Sequence, residues 1–150
     1  MARFHYSLQS ILSIKEKMET QAKQEFSSAK GALDREEEKL AELKERKRAY
    51  EKQAAELLSG KLDVREIEEN QTAILRMDSF IAEQNVRVRR AKKALEEARE
   101  RLTEVMKERK THESLKEKAF ESFLQEENRQ ESKEIDELTS YTYGQRQVSK

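Results

Sequence analysis

The sequence predicts an all-α fold: a long two-helix antiparallel coiled-coil hairpin with a C-terminal helical overhang. Three observations carry that expectation. The 150-residue chain has no proline and only three glycines, so residues that break helices are nearly excluded. Charged residues make up 41% of the chain and hydrophobic residues 35%, a balance that fits a coiled coil if the apolar residues are periodic and a disordered segment if they are not. They are periodic. The first half repeats Ala22, Phe26, Ala29, Leu33, Leu40, Leu43, Tyr50, Ala54 and Leu57 at spacings built from four and three. The second half does the same with Ile67, Ile74, Met77, Ile81, Val88, Ala91, Leu95, Ala98, Leu102 and Val105, which is the seam of a coiled coil.

The first helix is expected over about residues 5–58. Near its start Phe4, Leu8, Ile11 and Met18 fall one residue off the later seam, as a stutter would place them. Gly31 is read as a close approach of the helices beside an Ala29–Ala91 layer. The stretch "LLSGKLDVREIEE" then supplies a turn at about 59–63. Gly60 can take the left-handed conformation that closes a helix. Asp63 can cap the next helix, with Glu66 placed to return the bond. A second helix over about 64–140 and a flexible tail over about 141–150 complete a single coiled-coil domain, 1–150. At 1.5 Å per residue the arms span roughly 80 Å and 115 Å, so pairing runs out near residue 116. An overhang follows that carries Phe120, Phe123, Leu124, Ile135 and Leu138, apolar residues that favour a binding partner.

So short a connection makes the helices antiparallel neighbours and fixes which residues face each other. A turn centred on Gly60 and Lys61 sets Leu40 opposite Ile81, Leu33 opposite Val88, Phe26 opposite Leu95 and Leu43 opposite Met77. Glu36 meets Gln84, a polar layer of the kind that fixes register. The acidic run at 36–38 lies opposite Arg87, Arg89 and Arg90, which suggests internal charge pairing.

Little in the chain suggests a reaction centre. Basic and acidic residues number 31 each, so no global field favours nucleic acid or an anionic membrane. There is no cysteine and hence no disulfide or thiolate metal site. The start, "MARFHYSLQSILSIKEK", lacks a signal-peptide core, and no apolar run is long enough to span a membrane. These features lead us to expect a soluble intracellular protein. His5 and His112 are the only histidines. In the proposed register they come near each other, but two seam histidines by coincidence are the simpler reading. No phosphate-cradling loop or metal-ligand spacing is present. The cluster "RVRRAKK" at 87–93 has the composition to contact phosphates; neutralisation by the opposing acids is the competing reading. The expectation is a protein without catalytic activity, cofactor or metal.

Two segments carry a family resemblance. "FHYSLQSILSIKEKMETQAKQEF" (4–26) and "LKEKAFESFLQEENRQESKEIDEL" (115–138) resemble the N- and C-terminal patterns of the flagellar export protein FliJ family. The second includes Glu127-Asn128-Arg129, Glu131, Lys133 and Asp136-Glu137. The resemblance implies a soluble component of the type III export apparatus, similar to the central stalk of rotary ATPases. Its paired termini would enter a hexameric flagellar export ATPase, with Leu8, Ile11, Phe120, Phe123, Leu124, Arg129, Asp136 and Glu137 on the ring side. Leu43, Tyr50, Ala73, Met77, Phe80 and Gln84 would meet the cytoplasmic domain of the membrane export gate. Export chaperones are further implied partners. The implied location is cytoplasmic, at the inner face of the cell membrane, with no direct lipid anchor and no nucleic acid. A scaffolding coiled coil and a nucleic-acid-binding hairpin are the alternatives. Spin labels at positions 33 and 88 should lie side by side within one molecule; a separation of tens of ångströms by pulsed electron paramagnetic resonance would refute the hairpin.

Overall fold

The computed structural model describes residues 3–148 and contains two helices, α1 (Gln9–Leu58) and α2 (Val64–Val148). The two helices pack antiparallel. Their burial follows a single heptad rhythm, which continues past residue 116, where pairing was expected to end, as far as Phe123. From Leu12 to Leu57, and from Ile67 to Phe123, the residues at alternating steps of three and four are buried or half-buried, the pattern of knobs entering holes along a seam.

Contacts gather into two compact units, Met1–Glu19 with Val105–Lys150, and Thr20–Glu104. In the first, Leu12 is only 2% exposed, and Tyr6 and Val105 are buried with it. α1 begins at Gln9 rather than near residue 5, after a turn in which the Gln9 N–H donates to the Tyr6 carbonyl at 3.1 Å. The expected stutter is not formed. Leu8, Ile11 and Met18 stay about 40% exposed, and the heptad instead continues through Leu12, Lys15 and Glu19. Charged residues hold those seam positions because α2 offers counter-charges: Lys15 meets Glu108 at 2.8 Å, and Arg109 bonds both Glu19 and, at 2.7 Å, Glu113. These bonds, Glu19 first, hold the Arg109 guanidinium above the usual arginine range.

In the second unit Ala22, Met77, Val88 and Ala98 form the apolar core. Polar layers interrupt it at intervals. The Gln84 amide donates to the Glu36 carbonyl at 2.8 Å and also to its carboxylate. The Asn70 amide donates to the Tyr50 carbonyl at 3.0 Å and to Gln53 at 3.2 Å. The Glu36–Gln84 layer is the one expected from the sequence. Lys47, at a seam position, reaches out to Asp78 on the flank at 2.6 Å, and that bond raises the Lys47 ammonium above its ordinary value. Arg101 reaches Glu25 at 2.6 Å. Such long side chains lean toward the N-terminus of their own helix, so in an antiparallel pair they meet partners displaced from the residue directly opposite.

Two glycine readings are corrected. Gly60 has no positive φ; α1 closes instead with the Ser59 N–H and hydroxyl both bonding the Glu56 carbonyl, at 3.2 and 2.9 Å. A Cβ on Gly31 would come near only Arg35 of its own helix, so no close helix approach occurs there. Asp63 does cap α2, accepting from the Arg65 N–H at 3.0 Å and the Glu66 N–H at 3.5 Å; among the described residues no return bond from Glu66 is formed. α2 stays helical to Val148 where a tail was expected from about 141, and the last two residues of that tail lie outside the described residues. From Glu131 to Arg146 every side chain is exposed.

Leu12→Ala should lower the unfolding free energy by about 3 kcal/mol, whereas Gly60→Ala should change it by less than about 0.5 kcal/mol because no left-handed backbone is required there. Urea denaturation followed by circular dichroism measures both.

Candidate functional site

Each unit carries its own exposed apolar surface. In the first, Phe4, Phe120 and Phe123 pack as a trio. Phe4 lies edge-on to Phe120 at 5.1 Å between ring centroids and tilted against Phe123 at 5.4 Å. Phe123 occupies a seam position and is half-buried, while Phe120 beside it remains exposed. Edge-to-face geometry of this kind adds roughly 0.5–1.5 kcal/mol beyond simple burial, enough to hold the segment before α1 against α2. Leu8, Ile11 and Leu124 are exposed in the same unit. Arg129 is exposed, with Glu126 at 4.0 Å, and Asp136 and Glu137 are exposed on a wholly uncovered length of α2.

In the second unit a groove of about 670 Å³ runs between Tyr50 on α1 and the face of α2 that presents Thr72, Ala73, Arg76, Met77 and Phe80. Met77 is buried and forms its apolar floor; Phe80 is 45% exposed. Arg65, Glu68 and Glu69 complete the lining.

The structure therefore brings together four residues of the gate set named from the sequence, Tyr50, Ala73, Met77 and Phe80. Leu43 is a half-buried seam residue, and Gln84 is buried and committed to Glu36, so neither lines the groove. Three features were not foreseen. Phe4 was assigned to a seam but acts as the hub of an aromatic trio. Ile14 and Leu75, off the seam and omitted from every set, are among the exposed apolar side chains. Lys15, Glu19 and Arg109 sit on the seam itself, and an apolar pattern passes over them; only carrying the heptad back from Ala22 would have found the first two.

The expected pairing of the 36–38 acids with Arg87, Arg89 and Arg90 is not formed. Glu36 bonds Gln84, and among the described residues none of the three arginines has an ion pair. His5 is exposed and His112 half-buried; the His112 Nδ1 and the Tyr6 hydroxyl are shielded from solvent without a hydrogen-bond partner. Among the described residues there is no group of three potential metal ligands, and no helix is long and apolar enough to cross a membrane.

These features define an all-α protein built as a two-helix hairpin, with its exposed apolar side chains grouped into surfaces suited to docking. Residues 4–148 match the family described as "Flagellar FliJ protein", and the chain belongs to that family. Membership makes it a protein associated with flagellar type III export. No curated protein is similar enough to be matched. Among solved structures the chain is similar to CT670 from Chlamydia trachomatis, described as a homolog of YscO. The TM-score is 0.76 at 24% identity, over 99% of this chain and 100% of that one. That likeness agrees with the two-helix fold.

Phe123→Ala should cost about 3 kcal/mol through lost packing, while Phe80→Ser should shift the stability by no more than about 0.5 kcal/mol. Comparing their denaturation midpoints separates a structural aromatic from an available one.

Proposed function

We propose that the chain is a non-enzymatic coupling stalk and adaptor of the flagellar export apparatus. In this reading the first unit engages the export ATPase ring and promotes its hydrolysis of ATP, and the second meets the cytoplasmic domain of the export gate. Export chaperones are handed over on the same protein, which works in the cytoplasm against the inner face of the cell membrane. The observation that carries the reading is the family match over residues 4–148. It is supported by the exposed apolar residues of the first unit, Leu8, Ile11, Phe120 and Leu124. A helix that shows such side chains to water gains by covering them. Arg129, Asp136 and Glu137, exposed on α2, add charges that orient a partner more than they hold it. The Tyr50–Phe80 groove supplies a separate docking face for the gate.

Adding the protein to the purified cognate ATPase should raise the hydrolysis rate and favour ring assembly. Phe120→Ala with Leu124→Ala should abolish most of the gain, and Phe80→Ser should leave it in place. An unchanged rate with the unaltered protein would reduce the chain to a scaffold.

A further inference from the structure

The seam of the second unit has two flanks, and they differ in charge. One flank is where Lys47 meets Asp78 and where Arg99 lies over the Phe26 ring at 5.9 Å. Bases and acids are nearly matched along it, with Lys30, Lys44, Arg48, Arg89, Lys92 and Arg99 against Asp34, Glu37, Glu51, Asp78 and Glu96. The other flank is the one where Arg101 reaches Glu25. Counting back by heptads from Arg101 along α2 gives Ala94, Arg87, Phe80 and Ala73; counting on from Glu25 along α1 gives Ala32, Lys39 and Arg46. Arg76 and Arg90 border the same flank one position out, and Arg76 already shares the groove wall with Phe80. Its acids over this stretch are Glu42, Glu83 and Glu97, besides Glu25 held by Arg101, with Glu68 and Glu69 at the far end of the groove. Lys39, Arg46, Arg76, Arg87 and Arg90 are all exposed, and none is engaged in an ion pair among the described residues.

We propose that this flank, with Lys39, Arg46, Arg76, Arg87 and Arg90 arranged about Phe80, binds an acidic peptide segment that carries an apolar residue. The apolar residue packs on Phe80 and the Met77 floor, and carboxylates beside it pair with the arginines. Three observations favour that occupant. In a chain of zero net charge, bases outnumber acids on this flank by more than on the other, and a local positive excess of that kind favours acidic partners. Arginine presents a planar fork that matches a carboxylate in two bonds. The groove places an apolar anchor among the charges, the arrangement that fixes a peptide in register. A single-stranded nucleic acid, by contrast, is held by several stacking aromatics along a basic track, and here the aromatics are confined to Phe80 and Tyr50 at the groove, with none on α2 from Ile81 to Arg101.

The inference rests on the reading of the groove as a docking face and names the chemistry of what docks. Its test needs only the purified full chain. A labelled glutamate-rich synthetic peptide with a central leucine, its glutamine counterpart and oligouridylate are titrated by fluorescence anisotropy. The glutamate peptide should bind, more weakly as salt rises, and the glutamine peptide should not. Arg87→Gln with Arg90→Gln should weaken binding by roughly tenfold, the expected loss for two exposed ion pairs. Phe80→Ser should weaken it too, while Arg89→Gln with Lys92→Gln on the opposite flank should leave it unchanged. Equal binding of both peptides, retention by the Arg87 and Arg90 variant, or tighter binding of oligouridylate than of the glutamate peptide overturns the proposal. Helicity by circular dichroism confirms that each variant is folded. No ATPase is present, so the outcome is independent of the hydrolysis measurement that tests the export role.

Discussion

A stripe of apolar residues recurring every three and four positions can leave water along its whole length only if a second helix carries a matching stripe. Everything else in this chain depends on that mutual burial. Most helical stability in a protein comes from packing an amphipathic face and not from propensity, so each helix draws on the stripe of the other. The seam is also narrow. Two helices bury a strip and not a volume, so most seam residues are half-buried and few reach the burial of Leu12 or Ala22. Stability is therefore spread thinly, and a few well-enclosed side chains carry a disproportionate share.

Within such a strip the polar layers do a different job. Gln84 bonded to Glu36, Asn70 bonded to Tyr50 and Gln53, and Glu19 bonded to Arg109 occupy positions where leucine would bury more apolar area. Each removes polar groups from water and satisfies them across the seam or along it. Sliding one helix by a heptad would keep leucine facing leucine but would leave these groups buried without partners, at a cost of about 1–3 kcal/mol each. The apolar stripe holds the helices together, and the polar layers decide which residues face which.

That division explains what could be read from the sequence. The hairpin, the antiparallel register and the Glu36–Gln84 layer follow from spacing, and spacing is written in the chain. The cap at Asp63 follows from residue type. The start of α1 did not, because Leu8, Ile11 and Met18 form an apolar series of their own, and an apolar pattern alone cannot tell a seam from a surface stripe. Charged Lys15 and Glu19 hold the true seam there, and that choice depends on Glu108 and Arg109, far along the chain. Gly60 misled for a related reason: a glycine permits a left-handed turn without requiring one, and the Ser59 bonds to Glu56 closed the helix first. Four of the six gate residues proved to share a groove because Ala73 and Phe80 lie one heptad apart beside Met77; Gln84, chosen by resemblance, lies on the seam and was needed for register instead.

The flanks were less legible still, because charge pairing across a seam is set by side-chain lean as well as by register. Facing residues suggested that the acids at 36–38 would neutralise Arg87, Arg89 and Arg90. In an antiparallel pair, long side chains on the two helices lean in opposite directions along the seam, which is why Lys15 pairs beyond Val105 with Glu108 and Glu25 finds Arg101 and not a nearer base. The Glu36 carboxylate is held by Gln84 instead, and Arg87 and Arg90 form no ion pair among the described residues. A surface charge that finds no partner within its own fold loses little by remaining solvated, so nothing in folding selects for or against it. A cluster of such charges around an exposed aromatic on one flank, facing a balanced flank across the seam, is therefore better explained by what it meets than by what it stabilises.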